Sequence, residues 1–325
     1  MPPVIDSLFG NLMVPTILFF VLGLVAAFVR SDLSIPEGAA KFMSLYLLLA
    51  IGFKGGHSLA QHGLRVDLFA AIGTGLILSF LLPFIAFALL RTMTRLDAVN
   101  AAAVAGHYGS ISIVTFVAAS SLLDLTGIGS DGYMVAVAAA MEVPAILSAL
   151  WIAHRFAAKP DDARSVSLRE LFANGSIVLL VGAFLIGAVT RDKGMDMIAP
   201  FVVTPFTGIL CLFLLDMGLS AGRSLLRNKH LMRAGLFAFG MLMPLVGATI
   251  AWGAGTVIGL QTGSLFLLMV LSASASYIAV PAAMRIALPQ AESGVYLTLS
   301  LGITFPFNIT VGLPLYLWLA SLAPT

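Results

Sequence analysis

Two apolar stretches of the chain carry small polar residues, glycine or proline at their centres: Val104-Ala-Gly-His-Tyr-Gly-Ser-Ile-Ser112 and Leu271-Ser-Ala-Ser-Ala-Ser-Tyr-Ile-Ala-Val-Pro281. Each interruption predicts a helix broken in mid-membrane. In hydrocarbon an unsatisfied backbone N–H or C=O is so costly that non-helical backbone persists at membrane depth only where it lines a cavity or a site. The two breaks fall at corresponding positions in the two halves of the chain, the pattern that points to the substrate site of a secondary transporter.

A soluble fold is excluded by the 60% of hydrophobic and 10% of charged residues and by a mean hydropathy of +1.04, since a soluble domain carries roughly 25% charged residues. At about 20 apolar residues per span, the chain divides into ten expected spans. These are 12–29, 37–60, 66–90, 98–122 (broken near 106–112), 131–154, 174–190, 200–222, 233–259, 263–287 (broken near 272–280) and 291–320. The first has neither a basic leader before it nor a small-residue cleavage site after it, so it is expected to stay in the mature protein.

The basic residues predict the orientation. Of the 17 Lys and Arg, 13 fall in connections on one side, Arg65, Arg191 and Lys193 on the other, and Lys54 lies inside a span. The positive-inside bias places the 13 in the cytoplasm and both termini outside.

Sequence similarity between the halves suggests an internal repeat. Leu64-Arg-Val-Asp-Leu-Phe-Ala70 matches Met232-Arg-Ala-Gly-Leu-Phe-Ala238, Phe53-Lys-Gly-Gly-His-Ser58 matches Leu215-Asp-Met-Gly-Leu-Ser220, and Pro144 matches Pro306. Five spans per half is an odd number, so the second copy enters the membrane inverted. The expected organisation is an all-α integral membrane protein: a first five-helix repeat over 1–157, a cytoplasmic linker over 158–172, and a second, inverted repeat over 173–325. The two broken helices are expected to cross.

The breaks suit a small oxyanion. A half-helix that starts at a break offers free N–H groups and roughly half a positive charge. Gly106 and Gly109 give backbone access; Ser110, Ser112, Ser272, Ser274 and Ser276 give hydroxyls for an anion or oxygens for Na⁺. The same small residues also suit close helix packing in lipid. His107 reads equally as an anion donor or a packed neutral ring. Lys54 and Asp216 correspond under the repeat, and read as coupling charges or as an ion pair between the halves. Glu142, two residues before Pro144, reads as a cation or proton coupler or as a bond to backbone freed by the proline. Asn308 reads as a carbonyl ligand or a packing amide. His57 and His62 lack a metal-ligand pattern and are taken as interfacial. Cys211, the only cysteine, makes no internal disulfide, and Trp151, Trp252 and Trp318 read as interfacial or lipid-facing anchors.

Several runs resemble the sodium-dependent bicarbonate transporter superfamily, typified by the cyanobacterial Na⁺/bicarbonate symporter family. They are Gly-Phe-Lys-Gly-Gly56, Gly-His-Tyr-Gly-Ser-Ile-Ser112, Met-Glu-Val-Pro-Ala-Ile146, Ser-Ala-Ser-Ala-Ser276 with Val-Pro281, and Leu-Gly-Ile-Thr-Phe-Pro-Phe-Asn308. The resemblance implies a ten-helix inverted repeat, homotrimers, bicarbonate between the two breaks with Na⁺ beside it, and a cytoplasmic PII-like regulator. Ser276 stands where the cyanobacterial pattern has an acidic residue.

The residues expected to bind the anion are Gly106, His107, Tyr108, Gly109, Ser110, Ser112, Ser272, Ala273, Ser274 and Ala275. Those expected to bind or couple sodium are Ser276, Thr304, Asn308, Glu142, Lys54 and Asp216. The expected function is sodium-coupled bicarbonate symport by alternating access across the cytoplasmic membrane, without an organic cofactor or a nucleic-acid partner. The alternatives are symport of another small carboxylate, cation/proton exchange, and a non-transporting receptor or scaffold. No nucleophile–base or metal constellation suggests an enzyme.

Overall fold

Within an apolar segment only a helix satisfies every backbone group locally. The computed structural model describes residues 14–62, 66–156, 175–228, 233–277, 280–281, 284, 288 and 290–323, and these contain helices and connections but no strand. The elements are α1 (Pro15–Phe28), α2 (Glu37–His62), α3 (Val66–Met93), α4 (Ala98–Gly109), α5 (Ile113–Thr126), α6 (Met134–Ala140) and α7 (Glu142–Phe156). There follow α8 (Gly175–Val202), α9 (Phe206–Arg227), α10 (Ala234–Val257) and α11 (Thr262–Ala273). The last, α12 (Ser293–Ser321), contains two π-helical segments, Thr298–Thr304 and Asn308–Gly312. Among the described residues seven helical stretches are long and apolar enough to cross a membrane, and α1 and α11 are shorter apolar helices.

Local chemistry sets the ends that matter. Asp97 caps α4: its Oδ1 accepts the Asn100 N–H at 2.8 Å and its Oδ2 the Asn100 amide at 2.8 Å. The Asn100 Oδ1 in turn accepts the Glu292 N–H at 2.7 Å, fixing the start of α12 to that cap. At the other end of the pair, α5 stops at Gly127, which takes a left-handed φ of 69° while the Ile128 N–H donates to the Leu123 carbonyl. This is the geometry that glycine permits at a helix terminus.

Helix packing follows two matched themes. α1 lies along α9 and α2 along α8. A Cβ at Gly23 or Gly218 would overlap backbone of the partner helix, and so would one at Gly56 or Gly187. Small residues let helices approach at backbone distance in lipid, where burial of apolar surface gives no net drive. The second theme sets α4 against α3 and α7, and α11 against α10 and the end of α12. Leu18, Leu22, Ile77, Val189 and Val257 lie on the outer surface. Tyr108, Phe116, Phe266, Tyr296, Phe305 and Tyr316 fill the interior around the breaks.

The observed boundaries differ from the expected ones in three places. Only Ser110–Ser112 separates α4 from α5, so Gly106, His107, Tyr108 and Gly109 are the last helical turn rather than open loop. Ser272 and Ala273 likewise end α11. In the second half, α8 does not stop near residue 190: it bends at Arg191 (φ 51°, ψ −142°) and continues to Val202, which shifts the following helix to 206–227. The linker expected over 158–172 lies outside the described residues.

Candidate functional site

α4 and α11 are both twelve residues long and both end on a serine in extended conformation, Ser110 at φ −86°, ψ 166° and Ser274 at φ −87°, ψ 163°. The two breaks meet and are stitched together. The Ser112 N–H donates to the Ser274 Oγ at 2.8 Å, and the Ser276 N–H donates to the His107 carbonyl at 2.8 Å. These are donors and acceptors that each helix loses by ending in mid-membrane. The Ser274 hydroxyl donates to Leu271 O at 2.9 Å. Ser112 then caps α5, accepting the Thr115 N–H at 3.3 Å, and the Ser276 hydroxyl accepts the Val280 N–H at 3.5 Å.

Around this crossover the remaining side chains fall into distinct roles. The Ser110 hydroxyl donates to Glu142 Oε2 at 2.6 Å. Glu142 is the one buried carboxylate among the described residues, and no buried Lys or Arg stands among them to pair with it. His107 donates from Nδ1 to the Ala103 carbonyl at 2.7 Å, an acceptor that fixes the proton on that nitrogen. Its ring stacks on Tyr296 at 4.4 Å and 24°. The Tyr108 hydroxyl and Thr304 Oγ1 lie 2.6 Å apart. Because Thr304 donates to the Gly240 carbonyl, Tyr108 is the donor of that bond.

Asn308 acts as a backbone cap rather than an open ligand: its Nδ2 donates to Ala273 O at 2.9 Å and its Oδ1 accepts from the Tyr316 hydroxyl at 2.9 Å. Ala275 is buried in the second break. Among the described residues four buried side-chain atoms have no hydrogen-bond partner: His107 Nε2, Thr115 Oγ1, Ser272 Oγ and Tyr277 Oη. Such atoms are rare in folded proteins and call for an explanation. Three are hydroxyls that can donate to an anion or offer oxygen to a cation. All belong to the broken segments or lie within a turn of them. The first turn of α5 adds the N–H groups of Ile113 and Val114, which have no acceptor within the helix.

One expectation is corrected. Lys54 does not pair with Asp216. Its Nζ lies 2.9 Å from Asp124 Oδ2 and 4.9 Å from the Phe206 ring centroid, at the far end of α5 from the break. Asp216, on α9, has Arg223 of the same helix as its charged neighbour. The ion pair between the halves is absent because Asp124, hidden in the sequence as an ordinary helix-end acid, reaches Lys54 first. Gly106 and Gly109 are tightly packed on the side where a Cβ would stand. A Cβ at Gly109 would overlap Pro83 of α3, and one at Gly106 would come within 2.8 Å of the Ala149 Cβ. They are close-packing positions.

Sequence reasoning leaves out Asp124, Thr115, Tyr277 and Tyr296. Tyr277 directly follows the second serine cluster and is within its reach; the others are ordinary residues on apolar helices until the fold brings them to their partners. His57 is part of a polar cluster: its Nε2 lies 2.8 Å from Asp192 Oδ1, which also accepts from Gln61 at 3.2 Å. The His62 side chain lies outside the described residues. Cys211 is a buried free thiol.

A search of the curated proteins returns no match to this chain. The model of one protein family matches residues 15–321, both breaks and every described helix included, and the chain thus belongs to the Na⁺-dependent bicarbonate transporter superfamily.

Proposed function

We propose that the protein is a secondary transporter that imports bicarbonate together with sodium by alternating access. The observation that carries this reading is the stitched crossover, in which two helix breaks share hydrogen bonds and hold unpartnered hydroxyls in the buried interior. An importer of a monoanion works against about 2.3 kcal/mol per 100 mV of membrane potential, and sodium entry offsets it. Ser272, Thr115 and the free N–H groups at the start of α5 are the anion donors. Glu142, with Ser110, supplies the negative charge that a coupling cation needs, because a buried carboxylate without a positive partner is strongly disfavoured. It takes the part that an acidic residue at Ser276 would have played.

The 5+5 inverted repeat is part of the same proposal. Its support is the equal length and equal cap geometry of α4 and α11 and the matched packing of α1 on α9 with α2 on α8. Ten spans then place both termini outside and the end of α5 on the outer face of the cytoplasmic membrane. Homotrimer assembly and a PII-like cytoplasmic regulator come with the family reading.

A second reading, proton rather than sodium coupling, draws on the same carboxylate, since Glu142 can be neutralised by either ion. Radiolabelled bicarbonate uptake into proteoliposomes tests both. Uptake driven by an imposed sodium gradient is the expected result. Uptake indifferent to sodium but driven by a pH gradient would favour the proton reading, and no uptake under either gradient would remove both.

A further inference from the structure

A second polar cavity lies away from the crossover, at the end of α5. It has a volume of about 260 Å³ and is bounded by α2, α5, α6, α11 and the turn that joins α5 to α6. Its polar walls include Lys54, Ser120, Asp124 and Asp131, and its floor includes Phe116, one turn from the capping Ser112. With about 30 Å³ for each liquid water, this space holds roughly eight waters, the size of a small hydrated ion.

The two members of the Lys54–Asp124 pair are not equivalent. The Lys54 side chain is 30% exposed and Asp124 is 61% exposed. Lys54 is further held by the Phe206 ring, which lies 4.9 Å from its ammonium and attracts a cation to its face. If the pair opens, Asp124 turns into water at little cost, because exposed pairs contribute little. Lys54 stays in the cavity and needs a replacement anion. The other carboxylate, Asp131, is engaged elsewhere: its Oδ2 accepts from the Ser264 hydroxyl at 2.7 Å, and its N–H donates to that same hydroxyl oxygen at 2.9 Å. The one ammonium of the cavity is therefore the group with an exchangeable partner.

We propose that this cavity is an entry site for a small oxyanion on the side of the membrane where α5 ends, with Lys54 as its binding residue and Asp124 as the ligand that the anion displaces. The proposal rests on the transport reading for its biological use, but not for its test. Phe116 is the cavity residue nearest Ser112 along α5, whereas an anion held at Lys54 waits beside Asp124, roughly three helical turns from the break at 3.6 residues per turn.

The test places a thiol in the cavity of the full-length protein, with Cys211→Ser removing the native thiol and Ser120→Cys adding the probe. Reaction rates with an anionic and a cationic thiosulfonate of similar size are measured in the purified protein, each divided by its rate with a small free thiol. The anionic reagent is expected to be favoured, because Asp124 is largely exposed and Asp131 is held by Ser264, which leaves Lys54 as the charge that faces the probe. Bicarbonate should slow the anionic reagent and leave the cationic one unchanged. Lys54→Gln should abolish the preference, Lys54→Arg should keep it, and Asp124→Asn should increase it and lower the bicarbonate concentration that protects.

Equal rates for the two reagents, an introduced thiol that reacts with neither, or a preference that survives Lys54→Gln would overturn the proposal. Charge-selective labelling in a protein that shows no ion-driven bicarbonate uptake would support the entry site while removing the transport reading. Sodium-driven uptake with charge-indifferent labelling would do the reverse.

Discussion

At Glu142 a single side chain concentrates the electrostatic problem of the site. Its carboxyl is buried, with a serine hydroxyl as its hydrogen-bond partner among the described residues, so it is either neutralised by a proton or paired with a cation. Glu142→Gln keeps an oxygen for Ser110 to donate to. The expected outcome is normal folded yield with uptake that no longer rises with sodium; an unchanged sodium titration would exclude Glu142 from coupling. Ser276 offers the converse experiment. Its hydroxyl accepts the Val280 N–H at 3.5 Å, and an aspartate carboxylate can accept the same bond, so Ser276→Asp adds a charge without losing the acceptor. It is expected to lower the sodium concentration for half-maximal uptake, whereas Ser276→Ala raises it. Gly109 gives a different result from the one its place beside the break suggests. With Pro83 in the way of any side chain, Gly109→Val is expected to lower thermal stability and folded yield, as overpacking of about 1–3 kcal/mol does, and a detergent melting curve would show it.

Among the elements, α8 is the one whose course the sequence does not reveal. Its kink lies at Arg191, a residue with φ 51° and ψ −142°, a region that costs a non-glycine residue roughly 1–3 kcal/mol. Arg191→Gly is therefore expected to raise the melting temperature, provided that the charge itself contributes little at this exposed position. Just past the kink, outside the membrane span, Asp192 accepts hydrogen bonds from His57 and Gln61 of α2, and these hold its carboxyl below the usual range. A lowered carboxylate pKa gives stability that is present above the unfolded value and is lost as pH falls through the folded one. The difference in melting temperature between the wild type and Asp192→Asn should accordingly shrink on acidification below the ordinary carboxylate range. The helical, membrane-type fold and the two breaks are legible in the chain because hydropathy and small polar residues are local signals. The Arg191 bend, the Lys54–Asp124 pair and the packing role of Gly109 are not, because each depends on a neighbour 70, 26 or more residues away or on a backbone state that arginine rarely adopts.

For the whole molecule, the two stitches between the breaks decide what can move. Parting the breaks would strand the Ser112 and Ser276 N–H groups in the buried interior, where each unmet group costs about 1–3 kcal/mol. The helices around them face a smaller one: α1 and α9 meet through small residues and apolar surface, and among the bonds of α2 to α8 those of His57 and Gln61 to Asp192 lie at an exposed position. A cysteine pair that cross-links α4 to α11 near the crossover is thus expected to leave uptake intact, and one that fixes α2 to α5 to abolish it; equal inhibition by both would contradict this division. On the transport reading proposed above, the crossover is the buckle on a belt: the strap slides and the clasp stays shut, so an ion would change sides of the membrane without leaving the same hydrogen-bonded frame.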